Sequence, residues 1–101
     1  MEHVILHVYY RCKSGMAREF VQALKSGGLQ EKVRGEDGCL QYDYHLSCEK
    51  PDTVVLLEKW RDAAALERHL AQPHMVEIGR VKEAFVERTD LEKFVSRNSI
   101  T

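Results

Sequence analysis

A glutamate and a tryptophan lie two positions apart in an otherwise apolar segment, TVVLLEKW at 53–60. Side chains at i and i+2 share one face of a β-strand, so Glu58 and Trp60 are expected side by side, together with Val54 and Leu56. If Val55 and Leu57 face the helices, Glu58 faces a second layer, where an unpaired carboxylate is costly to bury. A polar group tolerated at such a position predicts a pocket.

A histidine in the first strand is the expected companion of this carboxylate. Residues 2–12 alternate in polarity, and His7 falls on the less apolar face, beside Ile5 and Tyr9. His7 and Glu58 are therefore expected to converge in one cavity. The alternative interpretation pairs Glu58 with a basic residue at the strand end and leaves His7 partly exposed.

The remaining histidines do not have the spacing of a metal site. His3 and His7 are four residues apart, which spans roughly 13 Å along a strand, too far for both to bind one ion. His69 and His74 are separated by Pro73, without an acidic or cysteine ligand at a recognisable spacing. We therefore predict no metal site, and the absence of a phosphate-binding glycine loop or a G-x-S-x-G motif gives no support to nucleotide or hydrolase chemistry.

Composition restricts the class of protein further. The 101 residues include 15 Lys and Arg against 16 Asp and Glu, so there is no excess of basic residues for binding nucleic acid. The apolar runs are too short to span a bilayer, and three cysteines without a CxxC pair are typical of reduced thiols. These features predict a soluble, cytoplasmic protein with one domain over residues 1–95 and a polar tail over 96–101.

The polarity pattern predicts the order β-α-β-β-α-β. The predicted strands cover residues 2–12, 39–47, 53–60 and 84–95. Gly27-Gly28 should kink the first helix, while Asp62 should cap the second and Pro73 should bend it. This order is that of the α+β ferredoxin-like fold, a four-stranded antiparallel sheet with both helices on one face.

Such a sheet leaves one face open, although strands one and three are apolar on both faces. The open face would carry either Ile5 and Tyr9 or Val54, Leu56 and Trp60. Large exposed apolar patches mark interaction sites. We therefore expect a homodimer in which sheet packs against sheet.

Two segments resemble the antibiotic biosynthesis monooxygenase domain family. EDGCLQYDYHL at 36–46 matches an acidic-x-Gly-Cys-Leu-x-Tyr turn into strand two, and Glu58-Lys59-Trp60 matches a Glu-x-Trp at the end of strand three. Ala65-Leu66-Glu67-Arg68-His69 followed by Pro73-His74 matches an Ala-Leu-x-x-His segment that ends near a Pro-His pair. The matches keep the family's order over about the whole chain.

The resemblance implies a dimeric α+β barrel with a ligand cavity between sheet and helices in each protomer. Members of the family include monooxygenases that oxidise quinols or polycyclic phenols with O2, without metal or flavin. Such an enzyme has to deprotonate a phenol and stabilise its anion in a dry pocket. The candidate catalytic residues are His7, Glu58 and His69. The candidate substrate-binding residues are Ile5, Tyr9, Tyr42, Leu56, Trp60 and His74.

Other branches of the family leave alternatives open. One isomerises a phosphorylated autoinducer sugar, for which Arg11 or Arg80 could hold the phosphate. A non-catalytic ligand-binding dimer is also compatible with the fold, because fold does not fix function. The haem-degrading branch uses an asparagine in its first strand, whereas no Asn precedes Asn98 here. The leading prediction is a small-molecule monooxygenase that requires no cofactor.

Overall fold

The structure, a computed structural model, describes residues 2–97 and places four strands and four helices within them. The strands are β1 (His3–Cys12), β2 (Cys39–Leu46), β3 (Thr53–Trp60) and β4 (Val86–Ser96). The helices are α1 (Ala17–Ser26), α2 (Leu29–Arg34), α3 (Ala63–Leu70) and α4 (His74–Phe85). The strands form one antiparallel sheet in the order β2-β3-β1-β4. This confirms the predicted ferredoxin-like α+β fold.

Each predicted helix is divided in two where the sequence indicated. Gly28 has a φ of +71° between α1 and α2, a conformation that glycine adopts without a steric penalty. Asp62 caps α3, because its side chain accepts a hydrogen bond from the backbone N–H of Ala65 at 2.9 Å. Pro73 separates α3 from α4. The interruptions let four short helices curve over one sheet.

The last strand begins later than the sequence predicted. Residues 84 and 85 belong to α4, and β4 starts at Val86. Phe85 packs on Phe20 of α1, with ring centroids 6.1 Å apart, so packing of its ring favours two more helical residues. β4 runs through Ser96, the first residue of the predicted tail, and residues 98–101 lie outside the described residues.

The two faces of the sheet differ in polarity and burial. On β1, the helix-facing residues Val4, Leu6, Val8, Tyr10 and Cys12 are buried. Leu6 pairs with Glu58 in the antiparallel register, and directly opposed residues share a face. Glu58, Trp60, Leu56 and Val54 therefore lie under the helices. The other face carries half-buried apolar side chains, including Ile5, Tyr9, Val55 and Leu57.

A close approach joins the turn before β2 to α3. Gly38 has a φ of +90°, and a Cβ added to it would lie 2.5 Å from the Cβ of Ala65. The backbone N–H of Arg61 also donates to the carbonyl of Gly38 at 2.8 Å. Only glycine fits this position, so the turn is held tightly against α3.

The cysteines agree with the prediction of reduced thiols. Cys12, Cys39 and Cys48 are free. Burial raises the pKa of Cys12 and of Cys39 to about 11, which disfavours a reactive thiolate.

None of the helices described between residues 2 and 97 has the length and apolar content required to cross a bilayer.

Candidate active site

The carboxylate of Glu58 lies inside the protein, on the helix-facing side of β3. Glu58 is 7% exposed, and its Oε1 accepts a hydrogen bond from the indole N–H of Trp60 at 3.0 Å. Burial raises the pKa of Glu58, while the Trp60 indole, His69 and Lys82 act in the opposite direction. A carboxylate with a raised pKa is a stronger base than an exposed one, which is suited to taking a proton from a weak acid.

The imidazole of His69 covers this carboxylate and its tryptophan. Ala65, Leu66 and His69 form the buried face of α3, as helical spacing requires. The ring of His69 lies over that of Trp60, with centroids 4.4 Å apart and planes tilted by 31°. Its Nε2 is 4.0 Å from Oε1 of Glu58. The buried carboxylate of Glu58 and the buried imidazole of His69 therefore face each other without a direct hydrogen bond.

A second carboxylate, that of Glu36, holds the other side of His69. Oε2 of Glu36 lies 2.9 Å from Nδ1 of His69 and 2.7 Å from Nε2 of His74. Glu36 precedes β2 in the chain, and His74 is the first residue of α4. Three separate segments thus converge on one carboxylate oxygen, whose side chain is 7% exposed.

Glu36, His69 and His74 also have the chemistry of a divalent metal site. Their donor atoms lie within 4.8 Å of one another, and two histidines with one carboxylate are ligands that zinc and iron accept. Ligands about 2.0–2.1 Å from a tetrahedral ion are roughly 3.3 Å apart. The separations of 2.7 and 2.9 Å are shorter and are those of hydrogen bonds. The arrangement therefore fits a hydrogen-bonded network better than a set of metal ligands.

Two tyrosines extend the site along β2. Tyr42 pairs with Glu58 in the register, and its ring centroid lies 5.9 Å from that of His69 and 5.7 Å from that of Tyr44. Burial raises the pKa of Tyr44 to about 12 and raises that of Tyr42 further, and the Glu58 carboxylate contributes in both cases. Both phenols keep their O–H at neutral pH, and the two side chains are hydrogen-bonded to each other.

A groove of about 760 Å³ opens between α1 and β2. Its lining residues are Arg18, Glu19, Val21, Gln22, Lys25, Tyr44, His45 and Leu46. Tyr44 forms its aromatic wall, and Tyr42 lies between Tyr44 and Glu58. The sequence analysis did not identify this groove, although Arg18, Gln22 and Lys25 follow the polar side of α1 at helical spacing.

The structure brings together five of the predicted site residues and separates three others from them. Glu58, His69, Trp60, Tyr42 and His74 belong to one cluster, and the fully buried Leu56 lies on the same side of the sheet. His7, Ile5 and Tyr9 lie on the opposite side.

The expectation that His7 and Glu58 share a cavity within the protomer is wrong. His7 pairs with Leu57, one position from Glu58, and neighbouring residues of a strand point to opposite faces. The ring of His7 lies 5.0 Å from that of Phe94. The alternative is wrong in placing a basic residue of the strand end beside Glu58, because Glu58 contacts Trp60 and His69, whereas Arg61 pairs with Asp37 at 3.1 Å. It is right that His7 is partly exposed.

Glu36 and Tyr44 belong to this cluster but are not among the residues predicted from the sequence. The sequence places Glu36 in a turn, and the two histidines that it contacts lie 33 and 38 residues further along the chain. The available signal was its place at the start of the segment that resembles the family.

Residues 3–80 match the sequence profile of the family described as antibiotic biosynthesis monooxygenase. The chain belongs to this family. It is 34% identical over 71 residues to the Bacillus subtilis (strain 168) protein named "Putative monooxygenase YcnE", an alignment that covers 70% of this chain and 73% of that protein.

Solved structures share the fold of this family member. A crystal structure of PA3566 from Pseudomonas aeruginosa is similar with a TM-score of 0.82 and 28% identity, covering 97% of both chains. A structure from Deinococcus radiodurans, described as a putative antibiotic biosynthesis monooxygenase, has a TM-score of 0.83 and 23% identity over 97% of this chain and 96% of that one. The family match includes Glu36, Glu58, His69 and His74, whereas β4 lies beyond it.

Proposed function

We propose that this antibiotic biosynthesis monooxygenase family member is a monooxygenase that oxidises a small aromatic or quinol-type substrate with O2 and requires no cofactor. The observation that carries the proposal is the buried carboxylate of Glu58, whose pKa burial raises, beside the His69 imidazole and two neutral tyrosines. A base in a dry pocket can ionise a weakly acidic phenol or an enolisable carbon.

The chemistry requires no reductant when the substrate is an anthrone-like compound. Glu58 removes a proton from the CH2 group conjugated to the phenol, and the resulting anion transfers electrons to O2. A carbon–oxygen bond forms, the second C–H bond and the O–O bond then break, and water leaves. The balance is CH2 plus O2 giving C=O plus H2O, so the oxidised carbon supplies all four electrons.

We propose that the substrate enters through the groove between α1 and β2. Tyr44 lines the groove, and its neighbour Tyr42, which does not, pairs with Glu58 in the sheet. The substrate would therefore pass along the two rings, and the phenol O–H that is not used between them would donate a hydrogen bond to the anion. Trp60 is fully buried beneath His69. Its role towards the substrate would be indirect, through the hydrogen bond to Glu58.

One observation favours a second candidate, an isomerase of a small phosphorylated carbonyl compound. Arg18 and Lys25 both line the groove, and cations at such a position suit an anionic substituent. The phosphate contacts expected from the sequence lie elsewhere: Arg11 is exposed on β1, and Arg80 pairs with Glu77 at 3.0 Å. Phosphate-dependent binding lost in Arg18→Ala but kept in Arg80→Ala would support this candidate.

We also propose a homodimer built on the open face of the sheet. Ile5, Tyr9, Val55 and Leu57 form a half-buried apolar surface there, and Phe94 of β4 is 44% exposed beside them. Burying this surface against a second copy would remove apolar area from water at about 25 cal/mol per Å².

Oxygen consumption by the metal-free protein tests the proposed reaction. Purified protein is incubated with anthrone-like phenols and quinols, and O2 uptake and the products are followed for the native chain and for Glu58→Gln. The control is Glu77→Gln, which removes a 54% exposed carboxylate on α4. We expect uptake that is reduced on the order of 10²-fold or more in Glu58→Gln and unchanged in the control. No uptake, or equal uptake in both variants, would contradict the proposal.

His7→Ala in the same assay tests the predicted catalytic residue on the other face. Retained activity would assign the chemistry to the helix-facing side of the sheet. Lost activity in a folded His7→Ala protein would assign it to the open face and to the dimer.

A further inference from the structure

We propose that Glu36, His69 and His74 form a proton-holding site for the reaction at Glu58. In this site Glu36 keeps the proton of His69 on Nδ1, so that the lone pair of Nε2 faces Glu58 and accepts the proton that Glu58 removes from the substrate. The role in catalysis rests on the proposed monooxygenase function, whereas the arrangement of protons does not.

The contact between His69 and Glu36 determines which ring nitrogen of His69 carries the proton. A carboxylate only accepts hydrogen bonds, so a ring nitrogen 2.9 Å from Oε2 must carry a proton. That nitrogen is Nδ1 of His69, and in the neutral ring the lone pair is therefore on Nε2. A carboxylate that orients an imidazole in this way is the usual partner of a histidine base.

The other ring nitrogen of His69 points towards Glu58. Nε2 of His69 lies 4.0 Å from Oε1 of Glu58, whereas direct proton transfer requires about 2.6–3.2 Å or one bridging water. Trp60 holds Oε1 on the side that faces the imidazole, so the proposed transfer requires the two groups to approach each other by about 1 Å or to be bridged by one water.

A second histidine contacts the same carboxylate oxygen of Glu36. Nε2 of His74 lies 2.7 Å from Oε2 of Glu36 and must also donate. Glu36 is therefore bonded from α3 and from α4 at once, and its orientation is fixed by two helices. Glu36 and His74 act as positioning residues, since they would reach the substrate only through His69.

The groups around His69 leave one route for the proton. Glu36, in the turn before β2, and Glu58, on β3, face its two ring nitrogens. His74 of α4 is connected to His69 only through Glu36. The ring of Tyr42, on β2, lies 5.9 Å from that of His69. Tyr42 is neutral, because burial raises the pKa of its phenol. Among these groups, the Glu58 carboxyl is the one that can exchange a proton with Nε2.

The site conserves protons over the reaction. A C–H or O–H bond of the substrate breaks and its proton passes to Glu58, then to Nε2 of His69, which leaves Glu58 ionised beside the substrate anion. After O2 has added to the substrate, the same proton returns to the oxygen that leaves as water. His69 gains this proton and loses it again within one turnover, and no external proton is required.

The first test needs no substrate. Long-range ¹H–¹⁵N spectra of histidine-labelled protein separate protonated from lone-pair ring nitrogens. We expect the His69 signals to show a protonated Nδ1 and a lone-pair Nε2 at pH 7–8, and Glu36→Gln to mix the two tautomers, while Glu77→Gln leaves them unchanged. A native His69 with its proton on Nε2 would overturn the proposal.

Kinetics then separate this proposal from the proposed reaction. With a substrate that consumes O2, Glu36→Gln and His74→Phe should lower kcat on the order of tenfold or more and leave KM within about twofold, since neither residue touches the substrate. Unchanged kcat in both variants would overturn the role in catalysis. If no substrate consumes O2, the monooxygenase proposal fails and the tautomer measurement still decides the arrangement of protons.

Addition of Zn²⁺ or Fe²⁺ to the native protein checks the competing interpretation. Stoichiometric binding that is lost in Glu36→Gln and shifts the His69 and His74 nitrogen signals would overturn the proposal in favour of a metal centre. Unchanged spectra with excess metal would support the hydrogen-bonded site.

Discussion

Glu58 and Trp60 lie two residues apart on β3, and the indole N–H of Trp60 reaches Oε1 of Glu58 at 3.0 Å. Because the two side chains leave the strand on the same face, the donor is present wherever the strand forms. The hydrogen bond offsets part of the cost of burying the carboxylate. A Glu-x-Trp spacing on a buried strand thus gives a carboxylate that is both desolvated and fixed in direction.

The raised pKa of Glu58 has a defined effect on stability. Between its ordinary value, 4.5, and its higher value in the folded state, the native protein binds more protons than the unfolded chain. The free energy of unfolding therefore falls as pH rises through this window. Glu58→Gln should remove this decrease in the free energy of unfolding, so that the variant gains stability relative to the native chain from pH 4 to pH 8. Urea unfolding across this range checks the sign, and a constant difference would contradict it.

Trp60→Phe removes the donor and keeps a large apolar ring. We expect a loss of about 1–3 kcal/mol of stability at pH 8 for the unsatisfied carboxylate, in addition to a cavity cost that does not depend on pH. The loss should be smaller at pH 4, where a larger fraction of Glu58 is protonated. Denaturant unfolding at both pH values measures the difference. An equal loss at both values would show that the hydrogen bond contributes little.

Gly38→Ala tests the close approach of the turn to α3. The new Cβ would overlap the Cβ of Ala65 and would force alanine to a φ of +90°, so we expect a loss of about 2–4 kcal/mol. Gly28→Ala is the matched control, because Gly28 has a φ of +71° with no atom within 4 Å of the added Cβ. The difference between the two variants in thermal unfolding isolates the overlap. Equal losses would show that only the backbone conformation matters.

Leu57→Lys tests the proposed dimer. A lysine at the centre of the apolar open face would remain charged and would oppose burial against a second copy. We expect the native chain to elute as a dimer in size-exclusion chromatography with light scattering, and the variant as a monomer. Val76→Lys is the control, since Val76 is 62% exposed on α4. A native chain that is monomeric at micromolar concentration would contradict the dimer.

The sequence predicted the fold well because its strong signals are local. The alternation in β1, the cap at Asp62 and the interruptions at Gly28 and Pro73 each depend on neighbouring residues, and the structure agrees with all of them. The boundary at residues 84–86 was wrong because packing of Phe85 on Phe20 extends the helix, and this contact is not local.

The site was predicted only in part, because its contacts depend on register and on distant segments. The sequence indicates that Glu58 and Trp60 share a face but leaves open which face the helices cover. In the antiparallel register, Leu6 lies opposite Glu58, which separates Glu58 from His7. The link from Glu36 to His69 could not be predicted, since it depends on how a turn packs against a helix 33 residues later.

The contact between Gly38 and Ala65 has a consequence for how relatives of this chain vary. Gly38 lies two residues after Glu36, and Ala65 lies one helical turn before His69 on the same buried face of α3. A larger side chain at either position would move the turn away from the helix and lengthen the Glu36–His69 hydrogen bond. Relatives that keep this bond should therefore keep both small residues, and substitutions at the two positions should appear together with loss of the acidic residue.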